Sequence, residues 1–188
     1  MEILSKRNFV LYTEEQLKKC EADFSFDVAN HEWTMWLELT PFKLNTSTNL
    51  TLQPILSAQD WVELFYIRKI IEKEFCVEDE ALIQSFVDDI KIKSTKLNGT
   101  WFLAQKYGQT IGAIGLVPFK YNGVIVGRLQ DVDISPEFQG KGYGNDILSS
   151  LCCYARKENY SALCLMAKSN DWPKDWYSNF GFVKLGET

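Results

Sequence analysis

The sequence predicts an α/β protein with a mixed, mostly antiparallel twisted sheet, helices on both faces and an N-terminal extension. Three observations support this fold class. Strand and helix patterns alternate over residues 50–182 in the order strand, two helices, three strands, helix, strand, helix. The three consecutive strands are separated by short turns at Gly108–Gln109 and Asn122–Gly123, which join antiparallel neighbours. A glycine-rich loop separates the last of these strands from the next helix.

Apolar periodicity places the elements along the chain. Ser57 is the predicted N-cap of a helix over 58–75, because apolar residues recur after it at helical spacing. The same spacing predicts a second helix over 79–93. The remaining predicted elements are strands over 50–55, 101–107, 110–118, 124–135, 162–167 and 183–185, and helices over 143–158 and 173–179.

The start of the chain differs from the rest in its pattern. Residues 1–47 are predicted to form an N-terminal extension, and residues 48–188 the main domain. Alternating apolar residues predict a hairpin within 22–40, and the polar run 45–49 predicts a linker. Because open sheet edges are usually protected, we expect this hairpin to cover an edge or to act as a lid.

Composition excludes several classes of function. The 188 residues carry a net charge of −5, and their basic residues form no stripe or cluster of the kind that binds nucleic acid. No signal peptide is evident, and no apolar run approaches the ~18 residues that span a bilayer. The five cysteines lack paired spacing, and a single histidine, His31, gives little support to a metal site or a Ser-His-Asp triad. We therefore expect a cytoplasmic protein with no metal, nucleic-acid partner or membrane association.

The glycine-rich loop is the most informative part of the sequence. The strand before it ends at Ser135–Pro136, and a helix follows it. Glycine lets backbone N–H groups approach a ligand, and a helix N-terminus adds unpaired N–H groups and partial positive charge, so the loop predicts a diphosphate site. The spacing differs from both the Rossmann fingerprint and the Walker A loop. The candidate binding residues are Gln139, Gly140, Lys141, Gly142, Tyr143, Gly144 and Asn145.

The loop and the strand before it resemble the GNAT superfamily of acetyltransferases. Gln139-x-x-Gly142-x-Gly144 is similar to the Q/R-x-x-G-x-G/A loop with which that family binds the pyrophosphate of coenzyme A. The resemblance implies acetyl-CoA as co-substrate. It also implies that the family's fourth and fifth strands separate at a bulge, where backbone groups bind the pantetheine arm and hold the oxyanion. The residues that would do so are Val132, Asp133 and Ile134.

A second segment, residues 170–182, resembles the family's Asn-…-Phe-Tyr-x-x-x-Gly-Phe motif. By this resemblance Asn170 contacts the coenzyme and Tyr177 is the catalytic tyrosine. A phenol has a pKa of about 10 and a thiol one of about 8.5, so Tyr177 could donate a proton to the leaving thiolate. The alternative is a tyrosine that only packs on a helix face.

The general base is harder to identify from the sequence. With a strict period of two, the side chains that share a face with Ile134 are Arg128, Gln130 and Val132, and none of them is a base. Asp131 and Asp133 fall on the other face unless a bulge rotates them. Asp131 is the candidate catalytic carboxylate; both aspartates could instead act through water, bind a cationic acceptor or be structural.

The resemblance implies an N-acetyltransferase that moves an acetyl group from acetyl-CoA to a primary amine by direct attack. A solvated acidic turn is the default explanation of the acidic residues between the first two helices, and attraction of a small cationic amine is the functional alternative; these residues are Glu72, Glu74, Glu78, Asp79 and Glu80. Two alternatives stay open, a non-catalytic coenzyme A-binding sensor or scaffold and an enzyme that uses a larger acyl donor. The sequence also leaves open whether the chain forms a homodimer.

Overall fold

The computed structural model describes residues 31–40 and 49–187. These residues fall into two compact units, a larger one of 36–40 and 49–165 and a smaller one of 31–35 and 166–187. The first strand of the predicted hairpin and most of the predicted linker lie outside the described residues.

The described elements match the predicted order. In chain order they are β1 (Glu32–Glu38), β2 (Leu50–Pro54), α1 (Ala58–Glu72), α2 (Glu80–Leu97), β3 (Thr100–Lys106), β4 (Gln109–Tyr121), β5 (Val124–Ile134), α3 (Tyr143–Lys157), β6 (Ala162–Lys168), α4 (Pro173–Phe180) and β7 (Val183–Glu187). α2 runs four residues beyond its predicted end and stops at Asn98, which adopts a left-handed φ of 50°. In the part of the chain that the structure describes, no helix is both long and apolar enough to cross a bilayer.

α1 begins where the sequence predicts. Ser57 Oγ accepts a hydrogen bond from the Asp60 backbone N–H at 3.2 Å, and Asp60 Oδ2 accepts one from the Ser57 N–H at 2.7 Å. This reciprocal capping box satisfies N–H groups that a helix start otherwise leaves unpaired. It fixes the beginning of the helix that carries two of the site residues described below.

In the larger unit the strands follow the hydrogen-bonded order β2-β3-β4-β5-β6-β1. The pairs β2–β3, β3–β4 and β4–β5 are antiparallel, and β5–β6 is parallel. The prediction of a mixed, mostly antiparallel sheet is therefore confirmed.

Side chains that alternate along β3 show that helices cover both faces of this sheet. Trp101 and Leu103 belong to the core cluster that also contains Leu64 of α1 and Val87 of α2. Phe102 points the other way, and its ring lies 4.8 Å from that of Tyr154 in α3. The two packed faces confirm the predicted layer arrangement.

β1 contributes residues to both units. In the larger unit Leu37 and Leu39 are buried, and the Leu39 N–H donates to Ser161 O at 3.0 Å. In the smaller unit the Ser169 N–H donates to His31 O at 2.7 Å, and β7 follows β1 in the hydrogen-bonded order. The residues predicted as the second hairpin strand are thus a strand of the sheet, while the domain boundary at residue 47 stays a prediction.

Candidate active site

β5 carries a bulge close to its C-terminal end. Ala113 of β4 pairs with Asp133, and Gly115 pairs with Gln130. An advance of two residues along β4 thus corresponds to three along β5, so β5 contains one extra residue. Within the bulge Asp131 has a left-handed φ of 47°. A bulge of this kind bends its strand and re-aims the following side chains.

The bulge changes which side chains share a face. Residues directly opposite each other on paired strands point to the same side, so Gln130 shares a face with Gly115, and Asp133 with Ala113. Gly115 and Ala113 are two residues apart on β4 and therefore share the face that α1 and α2 cover. Strict alternation would place Gln130 and Asp133 on opposite faces; the extra residue of the bulge shifts the period, which is the exception that the sequence-based expectation allowed.

β5 and β6 separate soon after they pair. Their parallel register joins Val126–Arg128 to Ala162–Cys164, yet β5 continues to Ile134. The later part of β5 remains paired with β4, with Gly112 opposite Ile134. The β6 side of this stretch is therefore where an extended ligand could form backbone hydrogen bonds with β5.

The glycine loop presents its backbone to open space. Gly140 and Gly142 have φ values of 70° and 84°, and a Cβ added to either would meet no atom within 4 Å. Glycine is therefore required by the backbone conformation and not by crowding. Gly142 is also the N-cap of α3, where it has no side chain to satisfy the first N–H groups of the helix. These N–H groups form a cradle suited to an anion.

Side chains tie the loop to its neighbours. Gln139 Nε2 donates to Ile134 O at 3.0 Å and to Glu74 Oε2 at 3.1 Å. The Lys141 ammonium lies 5.6 Å from the centre of the Phe138 ring. Gln139, predicted to bind the cofactor, thus links the loop to β5 and to the connection between α1 and α2.

A charged cluster lies where α1 meets the bulge; we call its members, Arg68, Glu72, Asp131 and Asp133, the Arg68 cluster. Arg68 Nη1 donates to Asp133 Oδ2 at 2.5 Å, and Nη2 donates to Glu72 Oε1. The side chains of Arg68, Glu72 and Asp133 are 15 %, 11 % and 17 % exposed. Asp131 Oδ2 accepts from the Trp101 indole N–H at 3.2 Å. One guanidinium therefore faces three carboxylates.

This environment changes how the cluster binds protons. The pKa of Asp133 is raised to about 6, because burial and the charges of Asp131 and Glu72 raise it by more than Arg68 lowers it. Burial lowers the pKa of Arg68, but Asp133 and Glu72 raise it by more. Asp133 therefore gains and loses a proton close to neutral pH, with Arg68 charged throughout.

Sequence reasoning missed Arg68, although a signal was present. Arg68 lies four residues after Leu64 and three before Ile71, both of which are buried, so it falls on the inward face of α1. A charged residue on an inward face needs a partner. The sequence does not reveal that the partner is Asp133, which is 65 residues away.

The acidic residues between α1 and α2 mostly contact the protein itself. Glu72 pairs with Arg68, and Glu80 pairs with Lys69. Glu74 accepts from Gln139, and Asp79 Oδ1 accepts from the Ala81 N–H at 2.9 Å at the start of α2. These contacts give the segment a structural explanation, and Glu72 is the one of these four residues that belongs to the Arg68 cluster.

The smaller unit contains two predicted site residues, Tyr177 and Asn170. Tyr177 lies in α4 and is 8 % exposed, with its ring 4.6 Å from Trp176 and 5.7 Å from Phe182. Asn170 is exposed in the turn that follows β6. In the larger unit the structure brings together the bulge and the loop, which contain Asp131, Val132, Asp133, Ile134, Gln139, Gly140, Lys141, Gly142, Tyr143, Gly144 and Asn145.

Close packing at the bulge leads to a stability prediction. A Cβ on Gly112 would fall far inside van der Waals contact of the Asp133 carbonyl oxygen. The carbonyl belongs to the backbone and cannot rotate away from the new methyl group. Gly112→Ala should therefore lower the free energy of unfolding, measured in urea, by about 3 kcal/mol. Gly186→Ala in β7 is the matched control, since a Cβ there meets nothing within 4 Å. Equal stability of the two variants would contradict this view of the bulge.

Comparisons with known proteins agree with this geometry. Residues 97–184 match the family model described as Acetyltransferase (GNAT) domain. No curated protein matches the chain. A functionally unknown conserved protein from Staphylococcus epidermidis is similar in structure, with a TM-score of 0.68 and 18 % identity. That match covers 94 % of this chain and 65 % of the other, so the chain spans just under two thirds of its relative's length.

Two further solved structures are similar to most of the chain. A predicted acetyltransferase with acetyl-CoA from Clostridium acetobutylicum has a TM-score of 0.52 and 18 % identity, over 72 % of this chain and 90 % of that one. A spermidine N-acetyltransferase chimera derived in part from Vibrio cholerae has a TM-score of 0.56 and 21 % identity, over 74 % of this chain and 83 % of that one. At these identities the likeness concerns the fold.

Proposed function

We propose that this chain, whose residues 97–184 are an acetyltransferase domain of the GNAT superfamily, transfers an acetyl group from acetyl-CoA to a primary amine. The family match confirms the resemblance seen in the sequence. The observation that carries the finer proposal is the glycine loop, with its two left-handed glycines and an open cradle at the start of α3. Amine-dependent release of free thiol from acetyl-CoA tests it.

The cofactor would be held by backbone groups. Its diphosphate would accept hydrogen bonds from N–H groups between Gly140 and Asn145, where the helix start adds favourable charge. Its pantetheine arm would lie along the part of β5 that is separate from β6. The thioester supplies an activated acetyl group, and N–H groups around Val132 would stabilise the oxyanion that forms on its carbonyl oxygen. The structurally similar predicted acetyltransferase with acetyl-CoA from Clostridium acetobutylicum supports this donor.

The transfer needs two proton movements. The amine nitrogen attacks the thioester carbonyl carbon, a C–N bond forms and the C–S bond breaks. In our proposal the amine proton passes to the Asp133 carboxylate, and the leaving thiolate takes the hydroxyl proton of Tyr177. Asp131 assists because its nearby charge raises the proton affinity of Asp133. Exchange with solvent then restores both side chains.

A small cationic amine is the proposed acceptor. The Arg68 cluster sets one positive charge against three carboxylates, and this excess would attract a cationic amine, which loses its ammonium proton to solvent before the neutral nitrogen attacks. A structurally similar spermidine N-acetyltransferase supports the same class of acceptor. We also propose a cytoplasmic location, with which the free thiols of Cys76, Cys152, Cys153 and Cys164 are compatible.

If Asp133 is the general base, its pKa sets the pH dependence of the reaction. Below its pKa of about 6 Asp133 already carries a proton and cannot take another; above it the carboxylate is free to act. The acceptor amine, with a pKa of about 10.4, loses its proton progressively over the whole range. A plot of log kcat/KM for the acceptor against pH should therefore change slope from about two to about one near pH 6.

Asp133→Asn tests this dependence. It should remove the break near pH 6 and lower kcat/KM at pH 7.5 by about 100-fold, the lower end of the usual contribution of a general base. Asp88→Asn is the control, since Asp88 is an exposed residue of α2 that contacts Gln84. A break that persists in Asp133→Asn would assign the proton to another group.

A further inference from the structure

Arg68 links α1 to the bulge through two directed contacts. Its two terminal nitrogens donate to different carboxylates, one to Asp133 across the fold and one to Glu72 a single helical turn away. The guanidinium is planar and presents its donors in a fixed fork, so Glu72 sets the plane in which Arg68 meets Asp133. The three side chains are each at least four-fifths buried, which limits the alternatives to this arrangement.

We propose that Arg68 is a positioning residue for acetyl transfer, holding the Asp133 carboxylate at the bulge in the orientation and charge state in which it accepts the proton of the acceptor amine. This inference rests on the proposed function and extends it to a residue on a different element. Arg68 would touch neither the amine nor the thioester. Its effect would reach the reaction through Asp133.

The charges around Asp133 give the physical reason. Glu72 on α1 and Asp131 on β5 both add negative charge, and Arg68 is the positive group that opposes them. Burial and the two carboxylates favour a protonated Asp133, and Arg68 keeps its pKa from rising above about 6. If the guanidinium were removed, Asp133 would be left among two carboxylates in a poorly solvated place. It would then hold its proton at neutral pH and could not act as a base.

Stability alone explains this cluster poorly. Replacing a buried ion pair with apolar residues of similar size is often neutral or stabilising, because the attraction barely repays the loss of hydration. Here the charges are also unbalanced, with one guanidinium among three carboxylates. Such an arrangement has a clear use where a carboxylate must remain ionised and aimed in one direction beside a site of proton transfer.

The test compares the pH profiles of variants of the full-length protein with acetyl-CoA and the best amine. Arg68→Met should move the break in log kcat/KM upward from pH 6 by about two units and lower kcat at pH 7 about tenfold, with Kd for coenzyme A changed less than about twofold. Arg68→Lys retains the charge and should keep the break near pH 6. Lys69→Met, which removes an exposed charge one residue along α1, should match the wild type.

Glu72→Gln provides a second variant with an effect of opposite sign. The charge of Glu72 raises the pKa of Asp133, so its removal should move the break below that of the wild type. This comparison remains informative if Arg68→Met does not fold. Thermal unfolding of each variant, measured alongside, separates a loss of folded protein from a change in the profile.

Opposite shifts in Arg68→Met and Glu72→Gln, with Arg68→Lys close to the wild type, would support the inference. A folded Arg68→Met enzyme with normal kcat, or one that is slower but has its break at the wild-type pH, would overturn it and leave Arg68 with a packing role. A wild-type protein that transfers no acetyl group would instead overturn the proposed function itself. An incorrect role for Arg68 and an incorrect proposed function would therefore give different results.

Discussion

Gly142→Glu is expected to abolish coenzyme A binding while leaving the fold intact. Gly142 has a φ of 84°, where a residue with a Cβ is strained, and the cradle beside it is open. A glutamate would place a carboxylate where the diphosphate must bind, and juxtaposed like charges cost several kcal/mol. Since each 1.4 kcal/mol is a factor of ten, Kd should rise by about 100-fold or more in a calorimetric titration.

Gly123→Glu is the matched control for this variant. Gly123 lies in the turn before β5, at the opposite end of that strand, with a φ of 82° and no atom within 4 Å of an added Cβ. The substitution carries the same strain and the same charge, but it is remote from the loop. It should lose the same small amount of stability and bind coenzyme A as the wild type does. Equal affinities of the two variants would show that the loop is not the binding site.

Tyr177→Phe is expected to lower kcat by about 100-fold, the lower end of the usual contribution of a general acid. Phenylalanine preserves the ring that packs on Trp176 and Phe182, so the 8 % exposed side chain keeps its apolar contacts. The hydroxyl is the group proposed to protonate the leaving thiolate. Steady-state kinetics should therefore show a loss in kcat with Kd for coenzyme A unchanged.

Tyr154→Phe controls for the loss of a phenolic hydroxyl in general. Tyr154 lies in α3, with its ring against Phe102, and no role in the chemistry is assigned to it. Its variant should retain full activity. A Tyr177→Phe enzyme that also retains full activity would support the alternative in which Tyr177 only packs, and another donor would have to protonate the thiolate.

Local features of this protein were predictable because their signals are contiguous in sequence. Three glycines between a strand and a helix predicted the loop, and the structure gives Gly140 and Gly142 the left-handed backbone that only glycine adopts easily. The N-cap at Ser57 was predictable in the same way, since its hydroxyl and the N–H group that donates to it lie within one helical turn.

Features that depend on distant pairing were not predictable. The sequence gives no sign that Arg68 meets Asp133 or that Leu39 pairs with Ser161, because such contacts follow from the order of strands and helices in space. The resemblance implies a bulge where the two strands separate, but the sequence does not show which residues form it. Asp131 adopts a left-handed φ, which is uncommon for residues other than glycine, and strict alternation then fails for every later side chain of β5.

The most direct test of the proposed activity follows free thiol released from acetyl-CoA with a panel of polyamines, aminoglycosides and basic peptides. We expect thiol release that requires an amine, equals the acetylated amine mole for mole, and is lost in Gly142→Glu but not in Gly123→Glu. Coenzyme A binding by the wild type, without amine-dependent release with any member of the panel, would contradict the proposed acetyl transfer. That result would favour a non-catalytic coenzyme A-binding module.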